Sequence, residues 1–310
     1  MGRDDLVILT DHSSTEGSRE VLADAARAVT GRAPVLLDAR CFMAGGGGRI
    51  RSDGGRGLRL EAEGRVVAAD TVVVYEIPPH RRREFAACQR LLRAHGARSL
   101  GTDPRSWRAA TEKDATVARF VRDGVPHMPT VAFSRPGARA VAAAFERLGG
   151  DVWARPCVGM GGDDVFHVTS HAQLAAAARY YEQAGLDWLI ARDARNFTPE
   201  GVRHQYRVVV LDGRVVRAVE HVQADPDAPC NESRGAVSTV LATDGLPAGL
   251  DRLAIRAAAS LDLPLAGVDL AAESGGVVFE VNVHPAFGDG ALEQVAVPYV
   301  AAHLTPGHRP

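Results

Sequence analysis

Three oxygen-bearing side chains near the end of the sequence have the spacing of a cation site. The stretch LPLAGVDLAAESGGVVFEVNVHPAF predicts a strand, a tight turn at residues 274–276 and a second strand. Glu280 and Asn282 are two apart, so their side chains emerge on one face, and the turn brings Asp269 opposite them. Two carboxylates and an amide oxygen in an apolar sheet favour a bound cation such as Mg²⁺. A cluster of satisfied hydrogen bonds is the alternative.

Lys113 is the only lysine in the chain, although lysine and arginine together number 36. A general preference for arginine explains the other basic residues but not this exception. Lys113 lies near the start of a predicted helix that Gly124 ends. A specific need for an ammonium group and chance both remain open.

A glycine loop lies in the stretch DVWARPCVGMGGDDVFHV, which is predicted as strand, loop and strand. Gly159, Gly161 and Gly162 would let the backbone approach a ligand and direct amides at an anion. A simple hairpin turn is the alternative. No helix follows the glycines, and the chain contains no P-loop sequence, so both common phosphate-loop motifs are excluded.

Arg207 lies in an apolar strand of the stretch HQYRVVVLDGRVVRAVEHV. Asp212 and Gly213 predict a tight hairpin turn between two strands. The alternation of the first strand places Gln205 and Arg207 on the same face. An arginine in such a strand needs an anionic partner, which is either a ligand phosphate or carboxylate, or a structural salt bridge.

The elements that position these residues begin with an alternation of strands and helices, which is typical of a parallel sheet with helices on its faces. The predicted strands are LVIL, PVLLDAR and TVVVYEI, and the predicted helices are SREVLADAARAV and REFAACQRLLRAHG. The glycine-rich residues 43–57 predict a mobile loop that leads into a hairpin of LRLEAEG and RVVAAD.

Composition indicates an ordinary globular protein of 310 residues, 46% hydrophobic and 24% charged. The formal net charge of −2 gives no basic field for nucleic acid. The four cysteines lack metal-site spacing, which argues against a zinc site or a disulfide framework and for a reducing compartment. The first apolar stretch is too short for a signal peptide or a membrane span. We therefore expect a cytoplasmic protein that acts on a small molecule or another protein.

The sequence resembles the ATP-grasp superfamily, in particular its RimK-type carboxylate-amine ligases, over residues 105–300. The resemblance rests on the ordered set Lys113, ARPCVGMGGDDV, HQYRVVV, CNESRG, GVDL and FEVNVHPAFGD. It implies an α/β and α+β fold in which an N-terminal parallel-sheet domain precedes a two-lobed nucleotide-binding region. The expected domains are residues 1–105, a central lobe with the glycine loop at 106–188, and a C-terminal lobe with the metal site at 189–310.

The resemblance further implies that ATP binds between the two lobes, with the glycine loop over its phosphates. It assigns to the nucleotide Lys113, Arg155, Gly159, Gly161, Gly162, Leu189, Ile190, Ala191, Arg192 and Asp193. The implied metal is Mg²⁺, with Mn²⁺ as an alternative, and its ligands are Asp269, Glu280 and Asn282. Lys113 matches the first phosphate lysine of the family, and an ammonium there is not interchangeable with a guanidinium. Two positions depart from the family pattern: Arg155 replaces a lysine, and Asp164 replaces a glycine.

The reacting groups are implied in the same way. Arg207 and Asn231 match residues near the reacting phosphates, and Arg234 is either a contact of the substrate or acyl phosphate or a surface residue. Candidate substrate contacts are Tyr75, Glu76, His80 and His284. Glu76 is either a partner for a substrate ammonium or a strand-end carboxylate in water, and His284 is either a substrate contact or base, or a loop histidine.

The implied reaction is ATP-dependent amide formation. A carboxylate becomes an acyl phosphate, which an amine then converts to an amide. The expected substrate is an amino acid, a peptide or an amino-acid derivative, and a cyclo-ligase would use the same chemistry. No nucleic acid or membrane partner is expected, and homo-oligomer formation is open. Two other classes remain: a small-molecule kinase of the same fold and a non-catalytic nucleotide-binding regulator.

Overall fold

A computed structural model describes residues 6–52 and 57–305 of the chain. The chain divides into two compact units. The first unit contains the chain up to Arg108, then Asp262–Ala266, and then the chain from Val283 onward. The second unit contains Ala109–Leu261 and Gly267–Asn282. The domain ranges 1–105, 106–188 and 189–310 stay predictions.

A three-stranded parallel sheet lies in the first unit. The first elements of the chain are β1 (Leu6–Thr10), α1 (Ser18–Thr30), β2 (Val35–Asp38), β3 (Arg49–Ser52), β4 (Leu58–Ala62), β5 (Arg65–Ala69), β6 (Thr71–Val74), α2 (Arg82–Ala94) and α3 (Pro104–Thr111). The parallel sheet has the order β2-β1-β6. All residues of β1 and β6 are buried, as expected of parallel strands that are covered on both faces. The predicted alternation of strands and helices is confirmed.

A second, antiparallel sheet of the first unit has the order β3-β4-β5. The predicted hairpin of LRLEAEG and RVVAAD is confirmed as β4 and β5. The prediction of a loop throughout residues 43–57 was wrong for Arg49–Ser52, which form β3. The free edge of β4 supplies backbone hydrogen bonds to β3, and this pairing outweighs the weak strand propensity of the neighbouring glycines. Residues 53–56 of the predicted loop lie outside the described residues.

The second unit begins with an α+β region built on a four-stranded sheet. Its elements are α4 (Lys113–Asp123), β7 (Thr130–Phe133), α5 (Ala138–Arg147), β8 (Val152–Pro156), β9 (Phe166–Val168), α6 (His171–Ala184) and β10 (Trp188–Arg192). The sheet has the order β7-β10-β8-β9, and its strands are antiparallel. One face packs against α5 and α6 through Trp188, Ile190 and Tyr181. The glycine loop connects β8 to β9, as predicted.

A five-stranded sheet completes the second unit. Its elements are β11 (Arg203–Leu211), β12 (Arg214–Gln223), β13 (Val237–Leu241), α7 (Leu250–Ser260), β14 (Leu265–Ala271) and β15 (Val277–Asn282). The sheet order is β13-β12-β11-β14-β15. Asp212 and Gly213 turn between β11 and β12 with φ of 48° and 73°, the positive values that a tight hairpin turn requires. The predicted hairpin is confirmed.

The chain returns to the first unit after β15. A π-helical turn, Leu292–Ala296, runs directly into α8 (Val297–Leu304), and α8 packs against α1 and β6. A parallel and an antiparallel sheet in the first unit, together with antiparallel strand pairs in the second, give the predicted mixture of α/β and α+β architecture. Among the described residues, no helix combines the length and apolar composition needed to cross a membrane.

Candidate active site

The three predicted metal ligands lie together on β14 and β15. Asp269 is directly opposite Glu280 in the antiparallel ladder, and Gly267 is opposite Asn282. The Nδ2 of Asn282 donates to Oδ2 of Asp269 at 3.2 Å. The register shifts next to Asp269, which leaves Phe279 without an opposite residue on β14. Two carboxylates and one amide group therefore meet at this edge of the sheet.

Arg207 on β11 neutralises Asp269. Its Nε donates to Oδ1 at 2.7 Å and its Nη2 to Oδ2 at 2.8 Å. Burial alone would lower the pKa of Arg207, but the charge of Asp269 and these hydrogen bonds raise it above its ordinary value. The pair forms because β11 is the neighbour of β14 in the sheet. Of the two alternatives for Arg207, the structure contains the salt bridge, and this salt bridge includes a candidate metal ligand.

Glu280 has two cationic partners. The Nζ of Lys113 is 3.2 Å from its Oε1, and the Nη1 of Arg155 is 3.6 Å from its Oε2. The Nη2 of Arg155 also donates to the carbonyl oxygen of Phe279, the residue at the strand irregularity, at 2.8 Å. The Nε of Arg155 is buried without a hydrogen-bond partner. One donor of this guanidinium is thus available to a ligand.

Lys113 is held at the site by both its backbone and its side chain. It is the first residue of α4 and only 7% exposed. Its backbone amide donates to the carbonyl of Cys157 at 2.9 Å, and its Nζ donates to the carbonyl of Gly159 at 3.4 Å. The first amides of a helix lack partners within the helix, so the bond to Cys157 fixes α4 to the end of β8. The ammonium consequently lies between the glycine loop and Glu280.

The glycine loop contacts the segment that follows β12. The hydroxyl of Ser233 donates to the carbonyl of Gly161 at 2.6 Å, and Arg234 pairs with Asp163 at 2.5 Å. Gly162 has a φ of 74°, and a Cβ added there would lie 3.0 Å from Cγ of Pro229. Only glycine fits this backbone geometry and this close approach.

Asn231 and Arg234 lie on this same segment. Asn231 immediately precedes a short 3₁₀ turn, Glu232–Arg234, and its Cβ would be 3.4 Å from a Cβ added at Gly162. The predicted catalytic residues Asn231 and Arg234 are therefore next to the glycine loop, while Arg207 lies with the metal candidates.

Asp164 points away from the glycine loop, toward α6. It has a φ of 58°, the left-handed conformation that glycine adopts most readily. The hydroxyl of Tyr180 hydrogen-bonds its carboxylate, and the hydroxyl of Tyr181 donates to its carbonyl at 2.6 Å. Burial raises the pKa of Tyr181, so this hydroxyl keeps its proton as a donor. Tyr180 thus gives the carboxylate a hydrogen-bond donor at a position where the resemblance leads one to expect glycine, and Tyr181 holds the backbone of the same residue.

The predicted adenine-binding residues form the last part of β10 and the residue after it. Leu189 and Ile190 are fully buried, and β10 pairs with β7 on one side and β8 on the other. Arg192 is exposed at the strand end. Asp193 forms a buried ion pair with Arg203, with two hydrogen bonds of 2.9 and 3.0 Å. The side chain of Asp193 is therefore engaged within the protein.

Sequence reasoning missed a polar cluster on β8 and β9. His167 contacts Asp151 at 2.8 Å and Asp227 at 2.6 Å, and its ring stacks on Trp153 with centroids 4.7 Å apart. Arg203 covers the same indole ring at 5.0 Å. The two-residue alternation of a strand is the sequence signal that could have indicated this cluster. Trp153 precedes Arg155 by two residues, so both side chains lie on the same face of β8.

The four substrate candidates have different environments in the first unit. Tyr75 is fully buried, and its hydroxyl donates to the carbonyl of Pro285 at 2.6 Å. His284 packs between Tyr75 and Trp107, and burial holds its pKa well below the ordinary value. Glu76 is also buried, whereas His80 is exposed. Tyr75 and His284 thus pack in the interior, and all four substrate roles stay predictions.

Comparisons with known proteins agree with this geometry. The family model of the RimK-like ATP-grasp domain matches residues 188–293. Glutathione synthetase of Rhodopseudomonas palustris is 28% identical over 241 residues, which cover 76% of this chain and 71% of that protein.

Solved structures with the same fold cover nearly the whole chain. The ATP-grasp ligase PsnB, complexed with a phosphomimetic variant of its minimal precursor, Mg and ADP, has a TM-score of 0.68 at 17% identity, covering 97% of this chain and 98% of that chain. D-cycloserine synthetase DcsG has a TM-score of 0.68 at 19% identity, covering 97% and 99%. D-alanine–D-alanine ligase from Bacillus anthracis has a TM-score of 0.68 at 12% identity, covering 97% and 96%. Residues 188–293 thus match the RimK-like ATP-grasp domain, and the chain as a whole shares the fold of the ATP-grasp ligase PsnB.

Proposed function

We propose that the protein is an ATP-dependent carboxylate-amine ligase that forms an amide bond through an acyl phosphate and releases ADP. The observation that carries this proposal is the joint arrangement of Asp269 and Glu280 with three cations, Lys113, Arg155 and Arg207. Oxygen ligands for a metal and positive groups for phosphates lie within one connected set of contacts. A purely structural salt bridge needs only one cation for each carboxylate.

The donor set fits a divalent cation with a preference for oxygen. Asp269 and Glu280 would supply carboxylate oxygens and Asn282 an amide oxygen, which are the ligands that Mg²⁺ and Mn²⁺ prefer. When bound, the ion neutralises phosphate charge and helps to orient the nucleotide. The amide of Asn282 presents its Nδ2 to Asp269 in the structure, so its oxygen is directed away from that carboxylate.

The three basic side chains are proposed to exchange their carboxylate partners for phosphates when the nucleotide binds. Lys113, Arg155 and Arg207 each contact a candidate metal ligand. With the nucleotide and its metal ion bound, Asp269 and Glu280 would hold the ion, and Lys113, Arg155 and Arg207 would hold the phosphates. No charged side chain is then left without a partner of opposite charge, which limits the desolvation cost of nucleotide binding. The unpartnered Nε of Arg155 adds a further donor for a phosphate oxygen.

The chemistry requires positioning and charge neutralisation more than a protein nucleophile. An oxygen of the substrate carboxylate bonds to the γ-phosphorus, and the bond from that phosphorus to ADP breaks. The amine nitrogen then bonds to the acyl carbon, phosphate leaves, and the nitrogen loses a proton. Arg207 is proposed to face the reacting phosphates, with Asn231 and Arg234 supplying polar contacts beside the glycine loop.

Amino acids, peptides and their derivatives are the proposed substrates, including intramolecular closure. The support comes from proteins of the same fold: PsnB forms a complex with a variant of its minimal precursor, Mg and ADP, and other neighbours include D-cycloserine synthetase and D-alanine–D-alanine ligase. Tyr75, Glu76, His80 and His284 are proposed as contributors to substrate recognition, two of them from the interior of the first unit.

The direct test is to incubate the purified protein with ATP, Mg²⁺ and pools of amino acids or dipeptides. A ligase releases ADP and free phosphate and yields an amide product. A kinase keeps the phosphate on its product, and a non-catalytic nucleotide-binding protein releases neither ADP nor phosphate. Product mass and phosphate release therefore separate the three classes.

The variant Glu280→Gln tests the carboxylates. Loss of a charged ligand should lower kcat by about 100-fold or more. Glu146→Gln, an exposed residue on α5, is the matched control and should keep the normal rate. A Glu280→Gln enzyme with a near-normal rate would contradict the metal assignment.

A further inference from the structure

His221 is a buried histidine with one unpartnered ring nitrogen. It lies on β12, is only 5% exposed, and its Nδ1 shares a hydrogen bond of 2.6 Å with Oγ of Ser238 on β13. Its Nε2 is buried and has no hydrogen-bond partner among the described residues. His204, another buried histidine of this sheet, binds Glu220 and Glu273 through its two nitrogens. Because buried polar groups are normally satisfied, the free nitrogen of His221 points to a partner supplied from outside the chain.

The strand register puts His221 on the same face of the sheet as Arg207. Gln205 and Arg207 share one face of β11, and His221 is directly opposite Gln205 in the antiparallel ladder. Cross-strand partners share a face, so His221 is a diagonal neighbour of Arg207. The Nε2 of Gln205 donates to the carbonyl of Cys230 at 3.0 Å, immediately before Asn231. The imidazole therefore lies, within the second unit, on the face that carries the proposed phosphate contacts.

The surroundings of His221 keep its ring neutral. Burial and the positive charge of Arg207 hold the pKa of His221 below the ordinary histidine value. The charges of Asp269 and Glu232 act in the opposite direction without outweighing them. A neutral imidazole has one N–H donor and one nitrogen with a lone pair. The ring can thus accept one proton at neutral pH.

The hydrogen bond to Ser238 favours a lone pair on Nε2. With its proton on Nδ1, the ring donates to Ser238 and presents the lone pair of Nε2. In the other tautomer the hydroxyl of Ser238 donates to Nδ1, and the N–H of Nε2 is a buried donor without an acceptor. Buried donors of this kind are rare and costly. The positive charge of Arg207 also favours a lone pair over an N–H group.

We propose that Nε2 of His221 is the base that takes the proton from the amine nucleophile. This inference rests on the ligase function proposed above. The amine nitrogen bonds to the acyl carbon, the bond from that carbon to the phosphate oxygen breaks, and phosphate leaves with the electron pair. The proton of the nitrogen passes to Nε2, and the imidazolium releases it to solvent after the amide has formed.

The carboxylates of the site are less suited to this proton. Asp269 accepts two hydrogen bonds from Arg207, and Glu280 contacts Lys113 and Arg155. Both carboxylates are also the proposed ligands of the metal ion, so their oxygens are committed to cations. The Nε2 of His221 has no such commitment.

Nitrogen NMR of the protein with isotopically labelled histidine tests the tautomer directly. Two-bond correlations between ring protons and ring nitrogens distinguish a proton on Nδ1, on Nε2 or on both. The His221→Asn protein identifies the signals that belong to His221. At neutral pH we expect a neutral ring with its proton on Nδ1. A proton on Nε2, or on both nitrogens, would overturn the inference.

The variant His221→Asn separates the two halves of the reaction. Asparagine keeps an N–H donor for Ser238 but has no basic nitrogen. With Mg-ATP and pools of amino acids and dipeptides, it should form the amide about 100-fold more slowly than the unmodified protein. Hydroxylamine, unlike an amino acid, is largely unprotonated at neutral pH and needs no base. With hydroxylamine as nucleophile, the variant should form the hydroxamate at the unmodified rate.

His171→Gln is the matched control. His171 is an exposed histidine at the start of α6 in the same unit, so its replacement should leave both rates unchanged. An equal loss of amide and hydroxamate in His221→Asn would assign His221 to the activation step or to packing. Normal amide formation in that variant would mean that another group takes the proton. Either result would overturn the inference.

The unmodified protein reports on the ligase function separately. If it releases no ADP and forms neither amide nor hydroxamate with any pool, the ligase function fails and the role of His221 as a base fails with it. If it forms both products and His221→Asn also forms both at normal rates, the ligase function stands and only the base assignment fails.

Discussion

Lys113 and Arg155 contact the same carboxylate, yet they use different chemistry. The ammonium of Lys113 has two acceptors in the structure, Glu280 and the carbonyl of Gly159. The guanidinium of Arg155 uses one nitrogen for Glu280 and another for the carbonyl of Phe279. The strand irregularity at Phe279 thus supplies an acceptor for the additional nitrogen of an arginine. This explains how arginine can occupy position 155 while position 113 has the only lysine.

Replacement of Lys113 by arginine tests this distinction at the residue scale. The larger, planar guanidinium would have to fit among Glu280, Gly159 and the start of α4 in a site that is only 7% exposed. We expect Lys113→Arg to lower kcat/KM for Mg-ATP by about 10-fold or more, although arginine retains the positive charge. Steady-state kinetics with ATP as the varied substrate measure the effect.

Arg122→Lys is the control for this exchange. Arg122 lies on the same helix and pairs with its neighbour Asp123 at 2.6 Å on the surface, so its replacement should leave kcat/KM unchanged. Equal kinetic constants for Lys113→Arg and the unmodified protein would show that any cation suffices at position 113.

At the scale of single elements, the glycine loop combines positive φ with close contacts. Gly162→Ala introduces a Cβ in a left-handed backbone and only 3.0 Å from Cγ of Pro229. The loop must shift to accept this methyl group, so we expect kcat/KM for Mg-ATP to fall by about 10-fold or more. The decrease should appear mainly in KM for ATP, because the glycine loop is the proposed cover of the phosphates.

Gly185→Ala separates the effect of backbone strain from the effect of the close Cβ contact at Gly162. Gly185 ends α6 with a similar φ of 66°, but an added Cβ would meet nothing within 4 Å. This variant should lose about 1 kcal/mol of stability, as expected for alanine in a left-handed position, and should keep its kinetic constants. If both variants affect KM equally, backbone strain alone accounts for the result.

Sequence periodicity predicted the elements that depend on local signals. The Asp212-Gly213 hairpin, the strand-loop-strand around the glycines and the opposition of Asp269 and Glu280 all follow from turn chemistry and period two. The strand β3 was missed because its pairing with β4 is a tertiary effect. Tyr180 was missed as the partner of Asp164 for the same reason: a helix brings its hydroxyl to a carboxylate 16 residues earlier.

At the scale of the whole molecule, nucleotide binding should stabilise the protein only together with the metal. A non-hydrolysable ATP analogue plus Mg²⁺, each well above its dissociation constant, should raise Tm by several degrees, because ligand at 100 times its Kd adds about 2.7 kcal/mol. The analogue alone and Mg²⁺ alone should give smaller shifts, and EDTA should reverse the joint effect. Differential scanning fluorimetry measures all four conditions.

Hydrogen-deuterium exchange shows where this stabilisation occurs. Added protection is expected in the second unit, at the glycine loop and along β14 and β15. The Glu280→Gln protein should lose the part of the Tm shift that depends on Mg²⁺. A full shift with the analogue in EDTA would mean that the carboxylates do not act through a metal.

Most of the architecture was accessible from the sequence, but the return of the chain to the first unit was not. The motif EVNVHPAFGD reads as one continuous stretch. In the structure its first part ends β15 in the second unit, whereas the residues from Val283 onward belong to the first. Such a division depends on packing between segments that are remote in sequence, for example Tyr75 on Phe287 and α8 on α1.

This division governs how chimeras of the protein should be made. An excised fragment that stops at Arg108 would lack Pro285, the acceptor of the Tyr75 hydroxyl, and Phe287, on which the Tyr75 ring stacks. Its apolar surface would be left uncovered and prone to aggregation. Grafting the first unit onto a relative therefore calls for three exchanged stretches, with the last one beginning just after Asn282.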